Sequence, residues 1–178
     1  MDSANHLLSV CIVEFEKLKA LGDKTFAQLS EEQFHWQPNS ETNSVAITVQ
    51  HLVGNMRSRW TEFFTSDLEK PDRNRDSEFE EQKLSKEQIL EGWERGWSYV
   101  METMRSLTPE DLMRTVVIRD QSHTVIEAVL RQISHYAYHI GQIVHIAKEL
   151  LNTEWKTLSI ARGKSTGFTP PPKPQAVV

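Results

Sequence analysis

The sequence predicts an all-α fold, a four-helix bundle with a short additional C-terminal segment. Three observations lead there. Four long stretches repeat apolar residues at helical spacing. Strand-type composition is confined to one short stretch. The seven prolines stay out of the helical patterns: Pro38, Pro71 and Pro109 fall between them, and Pro170, Pro171, Pro172 and Pro174 crowd the end of the chain. A chain of 178 residues fits one domain, taken here as residues 1–168, followed by a Pro-rich tail over 169–178 expected to be extended and mobile.

The first helix is predicted from about Ala4 to Leu29, with Leu7, Leu8, Cys11, Val13, Phe15, Leu18, Leu21 and Phe26 as its apolar residues. FHWQPNSETNS follows with the Asn, Ser and Pro content of a loop. Ser44 is a good N-cap for a second helix running to about Thr65, whose apolar arc is Val45, Val49, Leu52, Val53, Met56, Trp60 and Phe63. SDLEKPDRNRDSEFEEQKL is polar throughout and reads as a long connection, enough for a crossover between helices. Ser85-Lys-Glu-Gln88 is a capping box opening a third helix through Ile89, Trp93, Trp97, Val100 and Met104 to about Leu107. TVVIRDQSHTV has two β-rich halves around a turn-like centre and makes either a short hairpin or a loop. Thr124-Val-Ile-Glu127 is another capping box, from which the fourth helix runs to about Leu151. EWKTLSIARGKSTGF then reads as a short helix and a loop.

Composition narrows the function. Twenty basic against 25 acidic residues give a net charge of −5. That disfavours general nucleic-acid binding and an anionic membrane surface, both of which call for a basic footprint. No apolar run approaches the length needed to span a bilayer, and Leu7–Val13 lacks the basic flank of a signal peptide. The single cysteine, Cys11, is compatible with a reducing compartment, and a cytoplasmic location is expected.

The sharpest chemical feature is His135-Tyr-Ala-Tyr-His139 in the fourth helix. Residues four apart stack one turn above the other, so two imidazoles can share a metal ion; the alternative is a plain polar helix face. Taking about 100° per residue with His135 as origin, His139 falls at about 40° and Gln142 at about −20°. Ala128 and Ile146 point the same way, while Glu127, Ser134, His145 and Lys148 occupy the opposite arc. The pair therefore sits at the edge of a buried face, where imidazoles need partners. His145 reads as solvent-facing. A third ligand has four candidates, His6, His35, His51 and His123, of which His51 is the one set firmly in a helix; taken alone it reads as a surface histidine. Three histidines with an open position would make a catalytic type of site. Asn55 and Gln142 lie one turn along from His51 and His139, as candidates for contacts to the ligands or to substrate, or as plain surface polars.

Other constellations fail. Glu32-Gln-Phe-His35 is the one Glu-x-x-His and falls in the expected loop before Pro38, so a di-iron bundle lacks its partners. HExxH, CxxC and Gly-x-Gly-x-x-Gly are absent, and Arg162-Gly-Lys-Ser165 lacks the first glycine and preceding strand of a phosphate loop. Trp36, Trp60, Trp93 and Trp97 read as core or pocket wall.

The segments VQHLVGN and HYAYHIGQIVHIAKEL, taken together, resemble the DinB-like superfamily of bacterial metal-binding bundles. Trp36-Gln-Pro38, Asn43-Ser44-Val45 and Leu158-Ser-Ile-Ala-Arg162-Gly-Lys-Ser165 are similar to its uncharacterised DUF1572 branch, over nearly the whole chain to about Phe168. Ala161 departs from the proline expected there. The resemblance implies a three-histidine site of His51, His135 and His139 holding a divalent ion, nickel or zinc, with water in the open positions. It further implies a thiol-dependent S-transferase that joins a small-molecule thiol to an electrophile, and a homodimer. The fourth helix has an apolar arc wide enough to be central or shared with a second copy. A non-catalytic metal-binding or interaction protein that keeps the bundle is the alternative, since an intact triad supports a site and not a reaction.

Overall fold

The structure is a computed structural model and describes residues 3–169; the expected Pro-rich tail, Thr169 apart, lies outside the described residues. The protein is mainly helical, with one small two-stranded sheet. Helix α1 spans Ser3–Phe26, shorter than its pattern suggests, because Ser30 leaves helical conformation to cap a further helix, α2 (Glu31–His35). The Ser30 hydroxyl accepts from the Gln33 amide and the Gln33 carboxamide accepts from the Ser30 amide. Glu32 and His35, expected in a loop, therefore belong to a helix, and the signal overlooked was Ser-x-x-Gln itself.

Helix α3 is Val45–Trp60, capped by Ser44, whose hydroxyl accepts from the Ile47 amide at 3.1 Å. It stops short of Thr65. Thr61 is extended and Glu62 takes a left-handed φ of 49°, which turns Phe63 back to stack on Trp60 with rings 5.6 Å apart. Helix α4 (Lys86–Ser106) carries its capping box as the sequence suggests. The stretch before the last helix resolves as a hairpin, β1 (Thr115–Ile118) antiparallel to β2 (Gln121–Thr124). Its two turn residues, Arg119 and Asp120, both have positive φ although neither is glycine. Asp67 compensates: its carboxylate accepts from both turn amides, at 3.0 and 2.8 Å. Helix α5 (Val125–Leu151) follows from a Thr124 capping box and ends at Asn152, again left-handed with φ 46°. Beyond it, as far as Thr169, there is one 3-10 turn, Asn152–Glu154, and then irregular chain where a short helix was expected; Arg162-Gly-Lys-Ser165 is exposed and has no strand before it.

Helix α3 packs chiefly on α4 and α1 on α5, with α3 also meeting α5 and α1 meeting α4. The centre is aromatic: Phe15, Trp93, Trp97 and Tyr136 are almost fully buried, and Trp60 is buried beside them. The Trp60 indole donates to the Tyr136 hydroxyl (2.8 Å), which donates in turn to Asn55 Oδ1 (3.1 Å). This buried relay fixes the rotation of α5 against α3 at the residue next to His135. Among the described residues no helix is long and apolar enough to cross a membrane.

Candidate metal centre

The i, i+4 spacing on α5 puts His135 Nε2 and His139 Nε2 3.0 Å apart. From α3, His51 brings its own Nε2 to 3.2 Å from that of His135. Among the described residues these three form the one cluster of potential metal donors, with ligand atoms within 4.8 Å of one another. His51 is only 3% exposed, not the surface histidine its position alone suggests, and the α5 pair is half-buried. His6 and His145 are exposed and His35 and His123 half-buried, all outside the cluster.

The outer ring nitrogens of His51 and His139 are held separately. His51 Nδ1 lies 2.9 Å from Glu78 Oε2, and His139 Nδ1 lies 2.8 Å from Gln142 Oε1. Phe79 stacks on the His51 ring at 4.6 Å. A carboxylate only accepts, so His51 carries its proton on Nδ1 and presents a lone pair at Nε2; the same follows for His139 with the Gln142 oxygen towards it. Two lone pairs thus face His135 Nε2, which has at most one proton to give. A cation resolves that conflict. Two nitrogens bound to one zinc at about 2.0–2.1 Å lie roughly 3 Å apart for bond angles between octahedral and tetrahedral, and the separations of His135 from His139 and from His51 fit. Burial, then the neighbouring histidines and finally Arg59 and Arg73, push the His135 imidazole down to about 3. Burial and His51 push His139 down to about 4, against a smaller opposing pull from Gln142. Both rings are neutral at pH 7, as ligands must be.

The polar connection between α3 and α4 supplies what sequence reasoning missed. Arg73 grips Glu78 with Nε on Oε1 (2.7 Å) and Nη2 on Oε2 (2.8 Å), and reaches Glu69 Oε1 with Nη1 (3.0 Å). Glu69 Oε2 also takes Arg59 Nη2 (2.7 Å) and Arg119 Nε (2.9 Å). Burial alone would raise these carboxyls. The bonds and charges of Arg59 and Arg73, with a bond from Arg119, outweigh it and hold Glu69 at about 2. Arg73 and His51 likewise keep Glu78 below its ordinary value. One signal for Glu78 was available. Gly54 lies inside α3, three residues after His51, and a Cβ there would collide with the Glu78 carboxylate. A glycine in a helical pattern marks just such a close approach.

Among the described residues Asn55 makes no hydrogen bond to the histidines; it is buried, accepts from Tyr136, and lines a cavity of about 450 Å³ bordered by His51 and His135. Cys11 is buried, and burial and Glu14 push its thiol up, so it offers no thiolate at neutral pH.

The fold and site together define a mainly helical protein with a converged three-histidine cluster able to hold a metal ion. Residues 2–164 match the family described as "Protein of unknown function (DUF1572)", and the chain belongs to that family. No curated protein matches it.

Proposed function

We propose that this chain is a DinB-like four-helix bundle whose His51, His135 and His139 bind one divalent ion, nickel or zinc, and that it acts as a thiol-dependent S-transferase on small molecules. The observation that carries the metal half is the convergence of three Nε2 atoms, two of them on rings whose outer nitrogens are already engaged, so that two lone pairs meet where one proton cannot serve both. A divalent ion there would lower the pKa of a bound thiol and hold its thiolate. The chain itself does the rest. Glu78 and Gln142 fix the ring orientations, and the adjoining cavity gives a small molecule access to the cluster. In the transfer, sulfur forms a bond to the electrophilic carbon as the bond to the leaving group breaks. The leaving group departs with the electron pair and the thiol proton passes to water. Cys11, buried and pushed up, leaves the nucleophile to the substrate.

One observation favours the second reading, a non-catalytic metal-binding or interaction protein: among the described residues no carboxylate lines the cavity to move a proton. A cytoplasmic location and a homodimer complete the first reading; Leu130 and Tyr138, 51% and 62% exposed on α5, offer apolar area to a second copy. Elemental analysis of untagged protein tests the metal, and conjugation of a small thiol to an aryl halide tests the reaction. A stoichiometric divalent ion with metal-dependent turnover supports the proposal. Metal without turnover supports the second reading, and absence of metal after loading refutes both metal assignments.

A further inference from the structure

The cavity beside the histidines carries a charge that the proposed chemistry does not use. Five arginines line it: Arg59 and Arg73 from inside, and Arg75, Arg119 and Arg131 towards its mouth. The chain as a whole is acidic, with a net charge of −5, so this concentration is local. Arg59, Arg73 and Arg119 share two carboxylates, Glu69 and Glu78. The nearby Asp67 is engaged with the amides of Glu69, Arg119 and Asp120. Arg75 and Arg131 have no carboxylate within ion-pair reach among the described residues; Arg75 is placed over the Phe79 ring, 5.8 Å from its centre. Among the described residues the buried Arg59 Nε has no acceptor. Phe79 in turn stacks on His51, so Arg75 stands beside the metal-facing imidazoles.

A guanidinium is always charged, and its forked donors match planar carboxylates and tetrahedral phosphates. Low-dielectric walls strengthen the field of such a cluster and concentrate anions in the cleft. We infer that this cavity is an oxyanion subsite, in which Arg131 and Arg75 bind a carboxylate or phosphate group of a small molecule whose other end reaches the histidine cluster. The inference rests on the proposed function for what happens at that other end, and on the arginines alone for the subsite.

The test is calorimetric titration of the full-length protein with succinate and with inorganic phosphate, at constant ionic strength, in metal-loaded and chelator-treated samples whose metal content is measured in parallel. One of the two anions is expected to bind in both samples, and the tighter one names the group. Arg131→Gln and Arg75→Gln are each expected to weaken it by about ten- to hundredfold, the loss of a charge-assisted contact. Arg95→Gln, on exposed α4 surface away from the cavity, should leave affinity unchanged. Equal affinity in all variants, or no binding of either anion, overturns the subsite. Binding that vanishes with the metal places the anion on the ion instead, which overturns the subsite while leaving the histidine assignment intact. Arginine-dependent binding in a protein that takes up no metal supports the subsite and refutes the proposed function.

Discussion

Replacing Glu78 by Gln separates the support of the site from the site itself. The carboxylate receives two bonds from Arg73, at 2.7 and 2.8 Å, and one from His51, at 2.9 Å. Glu78 and Arg73 side chains are 10% and 5% exposed, so solvent screens little of the interaction. Glutamine has the same shape but one accepting oxygen, and its NH2 must face Arg73 Nε in one orientation, or both Arg73 Nη2 and His51 Nδ1–H in the other, donor against donor. Removing one partner of a buried ion pair costs about 3–5 kcal/mol. Arg73 keeps Glu69, and the amide oxygen keeps one bond or two, so the cost falls at or below the lower end of that range, about 2–3 kcal/mol. For a domain of this size that is a fall in Tm of roughly 4–12 °C. With the NH2 turned to His51, the outer hold on a proposed metal ligand is lost, which should also weaken metal affinity by about ten- to hundredfold. Thermal unfolding of metal-free protein reads the first effect and metal titration the second. A variant with unchanged Tm and unchanged metal affinity refutes the view that Glu78 is both the charge partner of Arg73 and the orienting group of His51.

Gly54→Ala should resemble the Glu78 variant in metal affinity, because its Cβ displaces the same carboxylate; the helix-propensity gain of about 1 kcal/mol offsets part of the lost stability, and metal titration of the double variant should show little beyond the stronger single. Replacing His51, His135 or His139 by Ala should sharply reduce metal content in elemental analysis with helicity by circular dichroism nearly intact, whereas exposed His145→Ala should change neither; the reverse pattern refutes the ligand assignment. His135 and His139 are pushed down to about 3 and 4 from 6.5. Between those limits the unfolded chain binds protons that the folded rings refuse, so metal-free stability is fully present above about pH 6.5 and falls as pH drops towards 4 and then 3. Denaturant unfolding across that range should show this slope in wild type and a shallower one in His135→Ala. Proton competition at these two rings sets in below about pH 5 and not at the ordinary histidine value.

The helices were legible because their signals are local. Ser44, Ser85 and Thr124 announce their caps, and the apolar spacing of Trp93, Trp97 and Val100 or of Tyr136, Ile140 and Ile143 leaves one face to bury. The same periodicity placed His135 and His139 at the edge of that face. The ends were harder: Phe63 fits the α3 pattern, but the stack on Trp60 forms only once the helix has broken. The hairpin was legible only as one of two options, because its turn has no glycine and depends on Asp67, more than fifty residues earlier. His51 looked superficial for a related reason. Its cover is Phe79 and Glu78 from a stretch whose composition is that of solvent-exposed loop. Charge pairing across sequence has no periodicity, so a string such as EKPDRNRDSEFEE shows that ions are present without showing which ones meet.

That charged stretch gives the site two halves held by different physics. His135 and His139 stand on α5 beside Tyr136, whose hydroxyl is tied to Trp60 and Asn55 in the aromatic core, so the core fixes their helix and Gln142 holds the His139 ring. His51 stands on α3, but its ring is oriented by Glu78, which answers to Arg73, Glu69, Arg59 and Arg119 in turn. Leu68 joins this strand of chain to the hairpin through the Val117 carbonyl at 2.8 Å, and the Ser58 hydroxyl holds the Leu68 carbonyl at 2.8 Å. Opening residues 66–80 would release the His51 orientation and the arginine-lined cavity together, while leaving the α5 pair in place. Polar segments with few apolar contacts open at lower free energy than a packed core. The two properties proposed for this protein, a metal held by three histidines and an anion held by arginines, therefore share one segment, in which Arg75 lies over Phe79 and the adjacent Glu78 bonds His51.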